Sequence, residues 1–280
     1  MHDNERLKGV MICGAGHSGS TLLGMILNGL QGAFYMGEGG KVRYLHDEKK
    51  PLRKRVCKIC GEGCEVWSKF HWDRDQPLYP QIAAHTGARI VVDSTKDQSW
   101  ITQRTDELLS VNAEPYLLFL TRDGRAVINS RLRKYPDRDP QAQMEDWMGQ
   151  ITRSEALFHQ FPGAKLRLRY EELASEPERV ARALCDFLGE DFTPDMLDFH
   201  TTPQHPLGGN SGTQYVAARG QLEDPEDAFV TLTDRTREYY QDHPDAITLD
   251  LRWKQELSDA HAALFEKIAG DFNQPLKWGE

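Results

Sequence analysis

The sequence predicts an α/β domain in which a central parallel sheet is flanked by helices. Two observations carry this reading. Short apolar runs of strand length alternate with longer runs of helical period, and the first apolar run meets a glycine cluster that opens directly into an amphipathic helix. Strands separated by helices pair in parallel through right-handed crossovers.

The elements follow in order. Residues 10–13 form the first strand. Residues 20–30 read as a helix, because Leu22, Leu23, Ile26, Leu27 and Leu30 share one face. Residues 89–93 are a second buried strand and 115–120 a third, followed by a helix over 124–134. A helix over roughly 142–161 precedes the fourth strand at 164–168. Residues 177–188 form another amphipathic helix, and a final one spans about 258–269. The least regular segments, at about 32–76 and 193–227, are rich in Gly, Pro and charge. Long loops of this kind in a compact domain are usually functional. The chain reads as one domain over residues 1–280 with these two elaborated loops.

Composition narrows the function class. The 280 residues include 43 acidic and 34 basic side chains, a formal net charge of −9. Apolar residues make up 39% before the 23 glycines are added, which is ordinary for a globular chain and excludes disordered, collagenous and disulfide-dense classes. A net acidic chain is a poor general nucleic-acid binder, so no nucleic-acid partner is expected, although a local cluster can still hold an anion. The apolar runs fall far short of the roughly 18 residues that a membrane span needs. Met1-His2-Asp3-Asn4-Glu5-Arg6 lacks the apolar core of a signal peptide. A soluble, cytoplasmic protein is the expectation.

The glycine cluster is Gly14-Ala15-Gly16-His17-Ser18-Gly19-Ser20-Thr21. Gly14, Gly19 and Thr21 match the spacing of the phosphate loop G-x-x-x-x-G-K-[ST], with Ser20 where the lysine belongs. Glycines allow a tight turn whose N–H groups converge on one anion, and the following helix adds its N-terminal partial charge. The absent lysine is the group that bridges the β- and γ-phosphates of a nucleoside triphosphate. The loop therefore reads as a phosphate binder outside ordinary ATP or GTP chemistry. A second anion site follows the third strand. Arg122 stands at the strand end and Ser130 eight residues on, within the helix, a fork plus a hydroxyl suited to a phosphate monoester.

At these two motifs the sequence resembles the sulfotransferases that use 3′-phosphoadenylyl sulfate (PAPS). Val92-Asp93-Ser94-Thr95-Lys96, Arg169-Tyr170-Glu171-Glu172-Leu173 and Gly208-Gly209-Asn210 look similar too, and the likeness runs from about Val10 to Trp278. The resemblance implies a P-loop-like three-layer fold with a central parallel sheet, and sulfuryl transfer to an acceptor hydroxyl or amine. It implies that Gly16, His17, Ser18, Gly19, Ser20 and Thr21 hold the 5′-phosphosulfate, that Arg122 and Ser130 hold the 3′-phosphate, and that Gly209 and Asn210 close on the nucleotide. The product would be adenosine 3′,5′-bisphosphate. The acceptor could be a small molecule, carbohydrate, lipid or peptide.

Sulfuryl transfer needs a base, in-line positioning and stabilisation of the leaving phosphate. Glu38, flanked by Gly37 and Gly39, is the base candidate, since family members that modify sugars and protein tyrosines carry a similarly placed glutamate. His17 stands where many members carry Lys or Arg. As a partly charged imidazole it would give pH-dependent help to the leaving group, or act as base in Glu38's place. Lys96 could reach the sulfate or the bridging oxygen, Asp93 reads as an orienter, and Arg219 is a loose candidate for the 3′-phosphate. Trp147 reads as core. The competing functions are a P-loop small-molecule kinase and a non-catalytic nucleotide-binding module.

Cys57, Cys60 and Cys64 make a C-x2-C-x3-C cluster with His71 seven residues further on. Three thiolates and an imidazole could hold a structural zinc, and a disulfide or free thiols are the alternatives. Cys13 and Cys185 read as buried, unpaired residues.

Overall fold

The computed structural model describes residues 6–241 and 245–279; residues 1–5, on which the signal-peptide reading rests, lie outside them. The chain begins with β1 (Lys8–Gly14), α1 (Ser20–Leu27), β2 (Ala33–Tyr35), α2 (Leu78–Thr86), β3 (Ile90–Asp93) and α3 (Gln98–Ser110). It continues through β4 (Glu114–Thr121), α4 (Gly124–Lys134), α5 (Pro140–Gln160), β5 (Ala164–Arg169), α6 (Tyr170–Ser175) and α7 (Pro177–Leu188). The last helices are α8 (Ser211–Gln221), α9 (Asp234–Gln241), α10 (Trp253–Glu256) and α11 (Asp259–Asn273).

The five strands form one parallel sheet in the order β2-β3-β1-β4-β5. Every residue of β1 is buried, as a strand covered on both faces requires. From β1 the order runs through β3 to one edge and through β4 to the other. The crevice for a ligand therefore lies beyond the carboxyl ends of β1 and β4, where the order reverses.

Two segments differ from the sequence reading. The 32–76 segment contributes the edge strand β2 and 3-10 helices at Gly39–Tyr44 and Leu52–Lys54. Three residues are too few to show a strand period. The 193–227 segment contains α8, which buries Tyr215, Val216, Ala217 and Ala218 together with Gln214. A helix covered on several sides leaves no apolar stripe to read. α3 was hidden in a similar way, because its buried face includes Arg104 and Thr105 beside Trp100, Ile101 and Leu108. Among the described residues, no helix is long and apolar enough to cross a membrane.

Candidate active site

The glycine loop leaves β1 at Gly14, whose backbone crosses so close to β4 that a Cβ there would stand 2.2 Å from the Leu120 carbonyl oxygen. It enters α1 through Gly19, which has a φ of 92° and faces the Tyr170 ring at a distance that no side chain could share. His17 between them has a φ of 72°, a left-handed conformation that a non-glycine residue adopts only where its surroundings impose it. Those surroundings are visible. Ser130 Oγ hydrogen-bonds His17 Nδ1 at 2.9 Å, Arg122 Nη1 donates to the His17 carbonyl at 3.0 Å, and the Gly16 N–H donates to Gln150 Oε1 at 2.9 Å. Ser18 Oγ is buried and has no hydrogen-bond partner among the described residues. A buried hydroxyl in a loop of N–H groups at a helix N-terminus is what an anion site leaves unfilled.

His17 differs from the expectation of a partly charged imidazole. Burial, then Lys134, Arg131, Arg122 and Lys96, lower its pKa to about 3, so the ring is neutral near pH 7.

Arg122 follows β4 directly, and the next residue, Asp123, caps α4 by accepting from the Arg125 N–H at 2.9 Å. This places the guanidinium at the mouth of the crevice and Ser130 on the same helix. Arg122 is only 7% exposed and lies 4.1 Å from the Tyr170 ring centre. Its Nη2 pairs with Asp250 Oδ2 at 3.3 Å, while its Nε is buried without a hydrogen-bond partner among the described residues. Arg252 grips the same Asp250 carboxylate through Nε and Nη2, both at 2.8 Å.

The third group sits past β2 and β3. Asp93 is 1% exposed and accepts four hydrogen bonds, from the N–H groups of Gly39 and Thr95, the Tyr79 hydroxyl and Trp100 Nε1. With both oxygens saturated it holds the Glu38 loop in place and has no lone pair free for a substrate proton. Glu38 pairs with Lys41 Nζ at 2.8 Å. Burial alone would raise its carboxyl pKa, but Lys41 and Lys96 overcome that and hold it below the usual value, so Glu38 is ionised. Lys96 Nζ donates to the Ser94 carbonyl at 3.0 Å, and burial lowers its pKa against the pull of Glu38 and Asp93.

Gly209 and Asn210 reach back to the glycine loop. The Asn210 N–H donates to Thr21 Oγ1 at 2.8 Å, and Asn210 Oδ1 caps α8 by accepting from the Thr213 N–H at 3.0 Å. One cavity of about 1000 Å³ brings together Gly16, His17, Gly19, Ser20, Thr21, Glu38, Lys96, Arg122, Ser130, Gly209 and Asn210, while Ser18 and Asp93 stand behind its wall. Its wall carries six Lys and Arg against four Asp and Glu, a local excess of positive charge in a chain of net −9. A second cavity of about 650 Å³ adjoins it and is lined by Tyr44, Trp72, Trp100, Arg43 and Arg74, together with Glu38 and Lys96.

A model of the sulfotransferase family matches residues 9–194. The chain belongs to the sulfotransferase family. No curated protein matches the sequence. Among solved structures, the sulfotransferase domain of the curacin biosynthetic pathway is 21% identical, with a TM-score of 0.52 over 96% of this chain and 98% of that one. The sulfotransferase domain of the Synechococcus PCC 7002 olefin synthase is 20% identical, with a TM-score of 0.53 over 94% and 96%. Mouse sulfotransferase SULT7A1, solved with PAP, is 11% identical, with a TM-score of 0.52 over 98% and 89%. At these identities the likeness is one of fold, and the sheet and helices described above are the sulfotransferase fold.

Several residues of this sulfotransferase lay beyond sequence reasoning. Lys134 lines the first cavity one helical turn after Ser130, and that four-residue spacing was the available signal. Asp250 had none, because Arg122 lies 128 residues away, and Arg252 enters only through Asp250, two residues before it. Arg219 does not border the cavity: it lies in the last turn of α8, where it donates to the Tyr240 carbonyl and pairs with Asp245. Trp147 is buried against Phe265 and Phe272. Cys57, Cys60 and Cys64 do converge, but His71 does not join them. It stacks on His46 at 4.2 Å between ring centres, and the imidazole beside the thiols is that of His205. The turn that returns the chain after Cys64 is anchored by Trp67, whose Nε1 donates to the His205 carbonyl at 2.5 Å, and this carries His71 away.

Proposed function

We propose that this sulfotransferase takes its sulfuryl group from 3′-phosphoadenylyl sulfate and passes it in line to an acceptor hydroxyl or amine. The observation that carries this reading is that Glu38 and Lys96 line both cavities, so a base and a cation stand where a donor in one would meet an acceptor in the other. The N–H groups of residues 16–21 hold the 5′-phosphosulfate. Arg122 and Ser130 take the 3′-phosphate, and Gly209 and Asn210 close on the nucleotide. Glu38 accepts the acceptor's proton as the new O–S or N–S bond forms. The S–O bond to the 5′-phosphate breaks, and Lys96 offsets the charge left on that oxygen. The products are adenosine 3′,5′-bisphosphate and a sulfated acceptor.

The second cavity suits a small acceptor with a ring, for the aromatic walls, and an anionic substituent, for Arg43 and Arg74. Thermal shift with adenosine 3′,5′-bisphosphate against ATP–magnesium is the first test. Stabilisation by the bisphosphate alone is expected, and equal stabilisation by ATP–magnesium would favour the kinase reading instead. A screen of sugars, phenols, lipids and peptides with sulfur-labelled donor then identifies the acceptor.

A further inference from the structure

We propose that Cys57, Cys60, Cys64 and His205 form a structural zinc centre that staples the acceptor-side loop to the segment carrying Gly208 and Gly209. One ligand atom from each residue lies within 4.8 Å of all the others. The Sγ atoms of Cys60 and Cys64 stand 3.5 Å and 3.4 Å from His205 Nδ1. Zinc–sulfur bonds of about 2.3 Å and zinc–nitrogen bonds of about 2.0 Å at tetrahedral angles put sulfur and nitrogen roughly 3.5 Å apart. The donor set already has the span of a filled site.

The backbone is shaped for metal-bound thiolates. The N–H groups of Ile59 and Cys60 both point at Cys57 Sγ, at 3.4 Å each. Gly61 takes a φ of 63° and its N–H donates to the Cys57 carbonyl at 3.2 Å, closing the tight turn that brings Cys57 and Cys60 to one point. Gln221 Nε2 donates to Cys60 Sγ at 3.6 Å. These donors favour ionised sulfur. On binding, three thiols release their protons to solvent, and three thiolates with one neutral imidazole leave the Zn²⁺ site with a net charge of −1. Soft sulfur ligands in a tetrahedral set select zinc, and four protein ligands leave no open position for catalysis. A disulfide would use two thiols and leave the third thiol and His205 without a role.

The consequence reaches the active site through a short path. The Lys58 N–H donates to the Pro206 carbonyl at 2.8 Å, and the Leu207 N–H donates to the Met36 carbonyl at 2.9 Å. Gly208, three residues after the ligand His205, packs so closely on the Glu38–Lys41 pair that a Cβ there would stand 2.7 Å from Glu38 Oε2. The metal therefore positions the Gly208–Gly209 turn, and through it the Glu38 loop, without touching substrate.

The test needs no substrate, so its outcome is independent of the donor and acceptor assigned above. Full-length protein, purified without chelators or a metal-affinity step, is analysed by elemental mass spectrometry and by thiol titration. One zinc per chain is expected, released on mercurial treatment. Cys60→Ser, Cys64→Ser and His205→Ala should lose it, while His205→Cys and His71→Ala keep it. Cobalt(II) in place of zinc should give the intense visible bands of a four-coordinate, thiolate-rich site. Less than about a tenth of a zinc per chain in wild type, an intact mass showing a disulfide, or another metal at full stoichiometry would each overturn the proposal. Because wild-type zinc content decides alone, variants that fail to fold do not blur the result.

Discussion

At the glycine loop the proposed anion-binding groups are backbone N–H groups held by β1 and α1, with a buried Ser18 hydroxyl that has no partner among the described residues. At Arg122 the proposed anion-binding group is a guanidinium already paired with Asp250, whose carboxylate Arg252 also holds. The first site is preorganised, since binding an anion there breaks no ion pair. The second exchanges one anion for another, and its net affinity is the difference between a phosphate and a carboxylate on the same arginine. In the proposed binding mode the reacting end of the donor thus rests on rigid backbone, and the recognition end on a competition. Mutations at the two ends should fail in different ways.

The largest effect is expected at the reacting end. Glu38→Gln removes the proposed base and should lower kcat by about 10²- to 10⁴-fold, with affinity for adenosine 3′,5′-bisphosphate little changed. Turnover of sulfur-labelled donor beside calorimetric titration of the bisphosphate separates the two quantities. Activity that survives in this variant would remove Glu38 from the role of base.

The next effects belong to the recognition end. Arg122→Lys keeps the charge but loses the fork and should weaken bisphosphate binding by roughly 10- to 100-fold. Adenosine 5′-phosphate, which lacks the 3′-group, should lose far less. An equal loss for both ligands would mean that Arg122 does not read the 3′-phosphate. Asp250→Asn tests the competition itself. Removing the rival carboxylate should tighten bisphosphate binding by up to about tenfold, near 1.4 kcal/mol. Acid cannot stand in for this mutation, because Arg252 and Arg122 outweigh burial and hold the Asp250 carboxyl well below the usual range. Unchanged or weaker binding would show that Asp250 supports the site and does not compete for it.

The same contrast explains what was legible in the sequence. The glycine loop, Arg122 and Ser130 lie on single strand–turn–helix units, so spacing alone brings them together. β1, β3, β4 and β5 announce themselves as apolar runs, and α4 and α7 have the bounds the pattern predicts. Asp250 and His205 meet their partners across 128 and 141 residues, and no local period encodes such a meeting. The fourth residue of the thiol cluster was therefore misplaced onto the nearest histidine, His71. Nor could the sequence tell that burial, reinforced by Lys134, Arg131, Arg122 and Lys96, would keep His17 neutral.

His17 joins the two ends, and its titration gives the smallest expected effect. In the free protein, burial and then four cations lower its pKa from 6.5 to about 3. Below 6.5 the unfolded chain takes up a proton that the folded chain refuses, so stability falls as pH drops toward 3. Between about pH 7 and pH 6 the loss should be about 0.7 kcal/mol, read as a lower denaturant midpoint. His17→Gln should remove that part of the slope, and an unchanged slope would place it elsewhere. Bisphosphate should reverse the sign locally. Phosphates bound beside Lys134, Arg122 and Lys96, which line the cavity, should offset the part of the depression that these cations cause, while burial, the largest cause, keeps the pKa below the ordinary value. Binding should then take up protons and tighten as pH falls below the ordinary imidazole range. Calorimetry in two buffers of different ionisation enthalpy measures that uptake. Zero uptake in wild type, or the same uptake in His17→Gln, would show that the phosphates do not share the field that holds His17 neutral.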